Sequence, residues 1–343
     1  MKVKCDINCA VLYNNKVFFF LEEYNGLYSV DLKTKEIVCH GAIPWEDTVC
    51  YRLIESMVIY DDHIYMIPFN GGYLSVFNLK TNSYEKKIDI RKGKTEGAFA
   101  ASFIRNEILY IFGCTARTIV RYDIKKDCVY QWDEWLDEAK AFIFDEQDAF
   151  FKSQGIIEED RFIIPFCNAN AVLALYDNNM KFNIIEIGNG RNGYSGIMKK
   201  EDKYYLCPRK EKMNIVVCDD SFNTIKALAT NFVKEKGVYY GGCAAVKDKV
   251  IFFGAQENIH LNEYDPDETM TVMIGTKLLY YLDGKSVYYN IKEGKLFVAE
   301  ENGNEFCEDI RITVDKSIIN KKLTSCVHVE KHSMTLEMFL DSI

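Results

Sequence analysis

An all-β fold is predicted by three features of this 343-residue sequence: a recurring two-residue polar turn, a second recurring polar residue, and short apolar runs between them. The turns recur every 35 to 53 residues or so, at Asn14-Asn15, Asp61-Asp62, Asn106-Glu107, Glu159-Asp160, Glu201-Asp202, Asp248-Lys249 and Asp283-Gly284. A second series follows each turn by about 17 residues, at Asp31, Asn78, Asp123, Asp177, Asp219, Asp265 and Glu300. Because insertions shift both series together, they mark one repeating unit of about 45 residues, which is typical of a β-propeller.

The sequence therefore predicts a single all-β domain over residues 1–343, folded as a seven-bladed β-propeller of four-stranded antiparallel blades. Rings of six or eight blades are the less favoured alternatives. The predicted blades lie at about 8–42, 52–90, 97–135, 152–188, 194–230, 239–275 and 277–312. The 48% hydrophobic content supplies enough apolar surface for such small sheets to pack against one another.

Blade three shows the predicted elements most clearly. Small and apolar residues over 98–104 predict the inner strand, Asn106-Glu107 the turn, and 108–112 the second strand. The third strand is predicted at 118–123 and the outer strand at 128–132. Blades one, two and six repeat this order, blades four and five do so more weakly, and blade seven is the shortest.

The recurring Asp or Asn has a local cause. Its side chain can accept hydrogen bonds from backbone N–H groups two residues on, which favours the reversal between the third and fourth strands. We therefore interpret this repeated residue as structural.

Glycine and Tyr-Asp signatures recur in several blades. Gly71-Gly72, Gly113 and Gly254 follow second strands, and Tyr122-Asp123, Tyr176-Asp177 and Tyr264-Asp265 close third strands. This pattern resembles the kelch-type propeller group, over most of the chain. Only blade two carries both glycines, so the resemblance is to a degenerate member of that group.

Two segments depart from the repeat. The connection 131–154 carries acidic residues early and Lys140 late, which predicts a short helix, and it is interpreted either as a lid over one face or as a surface insertion. In the closing tail, 313–343, a strand at 323–329 is expected to complete a blade. A short C-terminal helix is predicted at 335–340, packed on the ring.

Composition excludes several classes of partner. The net charge of -9 argues against nucleic acid, and the short basic segments 91–94 and 209–212 are interpreted as solvated loop charge. No run approaches the ~18 apolar residues of a membrane helix, and residues 1–6 lack the apolar run of a signal peptide. Twelve cysteines scattered through strand positions indicate reduced thiols and a cytoplasmic location.

The sequence shows no motif for nucleophilic or cofactor chemistry. His328 and His332 have i, i+4 spacing, but the alternating residues around His328 predict a strand, so we expect no metal site and no cofactor. No catalytic residue is predicted.

Loops that join the outer strand of one blade to the inner strand of the next gather around the central channel, on what we call the channel face. The candidate ligand-binding residues there are Tyr51, Arg52, Glu55, Glu96, Phe99, Lys152, Arg191, Tyr194, Tyr239 and Tyr240. Aromatic faces with a few charges suit a sugar, a peptide or another small polar ligand.

Two functions follow from these residues. The first is a non-catalytic binding or interaction propeller that holds a small polar ligand, glycan, peptide or protein partner on the channel face. The alternative is a carbohydrate- or peptide-modifying enzyme, such as an epimerase, mutarotase, lyase or hydrolase, with Glu55, Glu96, Arg52 and Arg191 as its candidate groups.

Overall fold

The computed structural model describes sixteen segments of the chain, and all structural statements concern these: residues 2–4, 6–22, 25–47, 51–92, 97–152, 154–176, 181–188, 190–210, 213–229, 239–246, 249–255, 264–267, 269–291, 293–301, 310–311 and 313–315. They form seven four-stranded sheets and one two-stranded sheet. The predicted fold class, a seven-bladed β-propeller, is confirmed.

The first three blades are sequential antiparallel meanders. Strand β1 (Lys2–Lys4) precedes them. Blade one contains β2 (Ile7–Tyr13), β3 (Lys16–Leu21), β4 (Leu27–Asp31) and β5 (Ile37–Gly41). Blade two contains β6 (Ile54–Tyr60), β7 (His63–Pro68), β8 (Leu74–Asn78) and β9 (Ser83–Ile88). Blade three contains β10 (Phe99–Arg105), β11 (Ile108–Gly113), β12 (Ile119–Asp123) and β13 (Cys128–Trp132).

Blades four and five keep the same strand order. Helix α1 (Trp135–Ala139) lies in the connection that leads to them. Blade four contains β14 (Ile156–Ile157), β15 (Arg161–Pro165), β16 (Ala171–Tyr176) and β17 (Lys181–Glu186). Blade five contains β18 (Tyr194–Lys200), β19 (Lys203–Pro208), β20 (Asn214–Cys218) and β21 (Thr224–Ala229).

Blade six departs from the predicted strand order. Its strands are β22 (Tyr239–Val246), β23 (Lys249–Ala255), β24 (Tyr264–Asp267) and β25 (Met270–Ile274). They are ordered β22-β23-β25-β24, with β25 parallel to β23. The sequence predicted the Tyr264-Asp265 pair in the third strand. That prediction is wrong, because β24, which carries this pair, is the outer strand and β25 takes the third position. Pro266 has no N–H to donate, which suits the outer strand, and Met270 and Val272 are buried, which suits the third position.

Blade seven closes the ring. It contains β26 (Thr276–Leu282), β27 (Lys285–Asn290), β28 (Lys295–Glu300) and β29 (Ile310–Arg311). Strand β30 (Thr313–Asp315) then pairs antiparallel with β1, outside the blades. The predicted closing strand at 323–329 and the predicted C-terminal helix lie outside the described residues.

The hydrophobic core is divided among the contacts between neighbouring blades. Seven clusters of buried residues each join two consecutive blades, and one of them joins blade seven to blade one. In that closing cluster Val287 and Leu296 of blade seven pack with Phe19 and Tyr28 of blade one. Each sheet alone would leave its apolar faces in water, so burial of these faces holds the ring together.

The predicted two-residue turns have the backbone geometry of tight hairpins. In four of them both central residues have positive φ angles: Asn14 and Asn15, Asp61 and Asp62, Asn106 and Glu107, and Asp283 and Gly284. This is the type I′ turn, whose twist matches that of the flanking strands.

Four members of the second polar series accept backbone hydrogen bonds in the turn that follows, as predicted. The Oδ1 atoms of Asp31, Asn78 and Asp219 each accept two backbone N–H groups at 2.8–3.0 Å, and Asp123 accepts one at 3.0 Å. Asp177 and the side chain of Asp265 lie outside the described residues.

The connection between blades three and four is part of the core. The predicted short helix is α1, and its Trp135 and Ala139 are fully buried with Phe150 and Phe151 in the cluster between these blades. Its apolar side chains therefore pack into the ring.

No helix among the described residues is long and apolar enough to cross a membrane.

Candidate functional site

Six polar side chains meet at the channel face, and we call them the mouth cluster: Glu22, Tyr51, Arg52, Glu55, Lys152 and Lys277. Lys277 belongs to blade seven, Glu22 follows the second strand of blade one, and Glu55 lies in the inner strand of blade two. Tyr51 and Arg52 lie in the loop between blades one and two, and Lys152 precedes blade four. Four parts of the ring, namely blade seven, blade one, blade two with the loop before it, and the connection before blade four, therefore contribute to one cluster.

Glu55 is the acidic centre of the mouth cluster. Arg52 Nη2 donates to both of its carboxylate oxygens, at 2.8 and 2.6 Å. Asn8 Nδ2 donates to Oε2 at 3.3 Å, and Lys152 Nζ lies 3.9 Å from Oε1. The carboxylate is almost fully buried, and these contacts compensate its loss of hydration.

Arg52 is fixed by its backbone as well as by its ion pair. Its φ angle is 50°, and its N–H donates to the carbonyl oxygen of Glu22 at 2.7 Å. The guanidinium carbon lies 4.2 Å from the centre of the Phe69 ring. Burial works to lower the pKa of Arg52, but the charge and hydrogen bonds of Glu55 outweigh it and raise that pKa.

Glu22 is the second acidic residue of the mouth cluster. Tyr51 Oη donates to Glu22 Oε1 at 2.7 Å, and Lys277 Nζ bonds to Oε2. These contacts join blade seven to the loop between blades one and two. Tyr51 nevertheless keeps most of its side-chain surface exposed to solvent.

A second charged group, Asp148, Arg209 and Lys210, links the connection before blade four to blade five. Asp148 lies 2.6 Å from Lys210 Nζ and 3.7 Å from Arg209 Nη2, and it accepts the N–H of Ala149 at 2.8 Å. Burial acts to raise the pKa of Asp148. Its hydrogen bonds and the two neighbouring cations outweigh burial, so the pKa lies below its ordinary value. Residues 209–212 were interpreted from the sequence as solvated loop charge. At Arg209 this interpretation is wrong, because the side chain of Arg209 is largely buried.

Acid should therefore destabilise the protein in part through Asp148. A carboxylate whose pKa is lower in the folded than in the unfolded chain stabilises the fold above the unfolded pKa. That contribution is lost as the pH falls through the folded pKa. We expect Asp148→Asn to lower stability at pH 7 and to weaken its dependence on pH below the ordinary value of 3.8. Urea unfolding between pH 7 and pH 3 measures this; an unchanged pH slope would contradict it.

Two buried thiols lie between the two charged groups. Phe150 N–H donates to the carbonyl oxygen of Cys114, and Cys167 N–H donates to that of Phe150, both at 2.7 Å. Burial raises the pKa of the Cys114 thiol, and the positive charges of Lys152, Arg209 and Arg52 act against that rise. The mouth cluster and the Asp148 group are thus neighbours on the same face.

Gln154 connects blade four to blade six across blade five. Its Nε2 donates to the carbonyl oxygen of Cys243, and its Oε1 accepts the N–H of Cys243 at 2.8 Å. A Cβ on Gly196 would lie 2.2 Å from Gln154 Oε1, and one on Gly242 2.5 Å from it, so a side chain at either position would displace the bonded amide of Gln154. Lys152 and Gln154 thus anchor one segment to blades two and six.

The structure brings together four of the ten predicted site residues: Tyr51, Arg52, Glu55 and Lys152. Phe99 and Tyr194 are fully buried in the clusters between blades, and Tyr194 Oη donates to Asn170 Oδ1 at 2.7 Å. Arg191 is exposed, and no described contact joins it to the mouth cluster. Glu96 and the side chains of Tyr239 and Tyr240 lie outside the described residues.

Glu22, Lys277 and Asp148 were not predicted from the sequence, and Arg209 was wrongly interpreted as solvated charge. A signal for Glu22 and Arg209 lies in the repeat itself, eight residues after the first residue of each of the first five turns (14 to 22, 61 to 69, 106 to 114, 159 to 167, 201 to 209). This position holds Glu22, Phe69, Cys114, Cys167 and Arg209. Glu22 and Arg209 are the charged residues in this series, and the structure places this repeat position at the channel face.

Within the described segments, no group of three or more His, Cys, Asp or Glu side chains is placed to hold a metal ion. His328 and His332 lie outside those segments.

No family model matches the chain, and no curated protein matches it. Its fold is similar to that of virginiamycin B lyase from Staphylococcus aureus, with a TM-score of 0.58 and 9% identity over 84% of this chain and 94% of that one. The WD40 repeats of RRP9 give a TM-score of 0.56 and 10% identity over 91% and 94%. A chain of the mitotic checkpoint complex gives 0.53 and 7% over 88% and 79%. At these identities the likeness establishes a β-propeller fold and nothing finer.

Proposed function

We propose that the protein is a non-catalytic binding propeller that holds a polar ligand or partner at the mouth cluster. The observation that carries this proposal is the convergence of six polar side chains from four parts of the ring on one channel face. Sites of this kind combine an apolar or aromatic surface with a few placed charges. Tyr51 supplies the aromatic face, and Arg52, Lys152 and Lys277 supply cations.

The state of the carboxylates favours binding over proton transfer. Glu22 is held by Lys277, Glu55 by Arg52, and Asp148 by Lys210. A general base needs lone pairs that can reach a substrate proton. In each of these three residues, the carboxylate instead accepts hydrogen bonds from a neighbouring cation.

A carbohydrate- or peptide-modifying enzyme remains the second candidate function. Its support is the fold that the chain shares with a protein named as virginiamycin B lyase, together with Glu55 and Arg52 at the channel mouth. Turnover of a ligand identified by binding, abolished by Glu55→Gln, would favour this candidate over simple binding.

The exposed tyrosine of the mouth cluster offers a test that does not disturb the core. We expect Tyr51→Ala to weaken binding at least about tenfold, because aromatic residues at binding sites commonly contribute more than 1 kcal/mol. Ligands would first be found by thermal shift against monosaccharides, dipeptides and small organic acids, since a ligand of the native state raises the melting temperature. Calorimetry would then give the affinities of wild type and variant.

Tyr130→Ala is the matched control for this experiment. Tyr130 lies on the outer strand of blade three and is 51% exposed, compared with 61% for Tyr51. We expect its replacement to leave affinity unchanged. Equal affinity of the Tyr51 variant and wild type for every ligand found would contradict the proposed site.

Several finer properties belong to the same proposal. We propose a single propeller domain of degenerate kelch-like type, with a cytoplasmic location and a protein, peptide, glycan or small polar ligand as partner. The eight cysteines that the structure describes are all free thiols, which supports a reducing compartment. The three Tyr-Asp pairs support the kelch-like assignment.

A further inference from the structure

Blade four breaks the repeat at the start of its inner strand. Seven residues before the first turn residue, blades one, two, three and five begin this strand with a buried apolar or aromatic residue: Ile7, Ile54, Phe99 and Tyr194. Blade four has Lys152 at this position, and its inner strand β14 begins only at Ile156. Lys152 and Gln154 therefore precede the strand, whereas the equivalent residues of the other four blades lie within it.

The side-chain amide of Gln154 takes the place of a strand partner for Cys243. Its Nε2 donates to the carbonyl oxygen of Cys243, and its Oε1 accepts the N–H of Cys243 at 2.8 Å. A peptide group of a neighbouring strand would make the same two kinds of hydrogen bond. Gln154 is 6% exposed and passes so close to Gly196 of blade five that a Cβ there would lie 2.2 Å from Oε1. The amide is therefore held across blade five.

Lys152 lies between two fixed points of the chain. Phe150 makes two backbone hydrogen bonds of 2.7 Å, to residues shortly after β11 and β15, and Gln154 is bonded to blade six. Lys152 Nζ is 3.9 Å from Glu55 Oε1, which is too long for a hydrogen bond. The position of Lys152 at the mouth cluster therefore depends on the chain on either side of it more than on its own ion pair.

We propose that Gln154 is a positioning residue of the ligand site: its paired hydrogen bonds to blade six hold the chain so that Lys152 presents its ammonium group at the mouth cluster. Gln154 acts through Lys152 and does not itself touch the ligand. The lysine side chain has a long flexible stem, so a fixed backbone lowers the cost of ordering it on binding. This inference rests on the proposed function, in which Lys152 supplies a cation.

Positioning is tested without a ligand, by the rate at which sulfosuccinimidyl acetate acetylates Lys152 in the native protein, followed by mass spectrometry. The Lys152 side chain is 18% exposed, so its position limits access of the reagent. Gln154→Leu keeps a similar volume and removes both hydrogen bonds. We expect it to speed acetylation of Lys152 about tenfold or more, the range expected when two hydrogen bonds that hold a segment are lost.

Gln154→Glu is a second, milder variant. Its carboxylate can still accept the N–H of Cys243 but cannot donate to the carbonyl oxygen. It should therefore also speed acetylation of Lys152, by a smaller factor than Gln154→Leu does.

Gln131→Leu is the matched control for these variants. Gln131 lies on the outer strand of blade three, and its Nε2 also donates to backbone carbonyl oxygens, those of Ile90 and Arg91 at 2.9 and 3.0 Å. Its replacement should leave acetylation of Lys152 unchanged. Lys295 in blade seven, whose side chain is 25% exposed, is the internal reference and should react at the same rate in every variant.

A double-mutant cycle tests whether Gln154 acts on binding through Lys152. The probes are the monosaccharides, dipeptides and small organic acids that raise the melting temperature, and calorimetry gives their affinities. We expect Gln154→Leu and Lys152→Met each to weaken binding, and the double variant to bind no more weakly than Lys152→Met alone.

An unchanged acetylation rate of Lys152 in both Gln154 variants, or additive losses of affinity in the double variant, would overturn the positioning role. The proposed function would still stand in that case if Tyr51→Ala weakens binding. If every probe binds Tyr51→Ala as it binds wild type, the proposed function fails, and the role of Gln154 in binding fails with it, even where Lys152 is acetylated faster.

Discussion

Replacing Trp135 with alanine is expected to lower the free energy of unfolding by about 3–5 kcal/mol, the cost typical of truncating a buried Trp or Phe. Trp135 is fully buried, and its ring packs against Phe150, Phe151 and Phe166 at centroid distances of 5.8, 5.3 and 6.0 Å. Loss of the indole would leave a cavity between blades three and four. Urea unfolding followed by circular dichroism measures the effect.

Trp135→Phe should cost about 1 kcal/mol or less, although it also removes volume. Among the described residues the buried Nε1 of Trp135 has no hydrogen-bond partner, and removing such a donor offsets part of the lost packing. Trp132→Ala is the control, because Trp132 is only partly buried and packs on Phe182 at 5.2 Å. Equal costs for Trp135→Ala and Trp132→Ala would contradict a core role for helix α1.

Removing Arg52 is the second substitution with a large expected effect. Arg52→Met would leave Glu55, whose side chain is 7% exposed, with Asn8 and a more distant Lys152 as partners. Breaking a buried ion pair from one side typically costs 3–5 kcal/mol. Arg52 is itself 23% exposed, so we expect about 2–4 kcal/mol. Arginine and methionine are equally strained at a positive φ angle. Backbone strain therefore does not contribute to the difference in the free energy of unfolding between wild type and Arg52→Met.

A double-mutant cycle isolates the ion pair from other effects. We expect Arg52→Met combined with Glu55→Gln to recover much of the stability, because the buried carboxylate charge is removed together with its arginine partner. The recovery is incomplete because Lys152, 3.9 Å from Glu55 Oε1, also loses its anionic partner. Lys140→Met is the surface control: its pair with Asp137 has side chains 63% and 84% exposed, and exposed pairs contribute about 0.2–1 kcal/mol. A double variant as unstable as the sum of the two single variants would contradict this account.

The repeated fold could be predicted from the sequence because its signals are local. Type I′ turns need residues that tolerate positive φ angles. The pairs Asn14-Asn15 and Asp61-Asp62 are such residues, so they indicate these turns in the sequence. Blade six could not be predicted in the same way. The choice between Tyr264–Asp267 and Met270–Ile274 for the third position depends on packing against β23, which is a tertiary contact.

The site was harder to predict because convergence at a channel depends on distances across the ring. Tyr51, Arg52, Glu55 and Lys152 were predicted at the channel face and lie close together, whereas Phe99 and Tyr194 were predicted there too and are buried. Aromatic residues near inner strands can serve either packing or binding. Residue type alone therefore does not distinguish a buried packing residue from an exposed binding residue. Comparison of one repeat position across blades, where Glu22 and Arg209 replace apolar residues, would have been more informative.

The most direct measurement of the central claim is a crystal structure of the protein with a ligand found by thermal shift. Ligand density is predicted at the channel mouth, in contact with Tyr51 and within hydrogen-bonding distance of one or more of Arg52, Lys152 and Lys277. A well-ordered channel mouth filled only by water, with the ligand bound solely at another surface, would contradict the claim that this face is the ligand site.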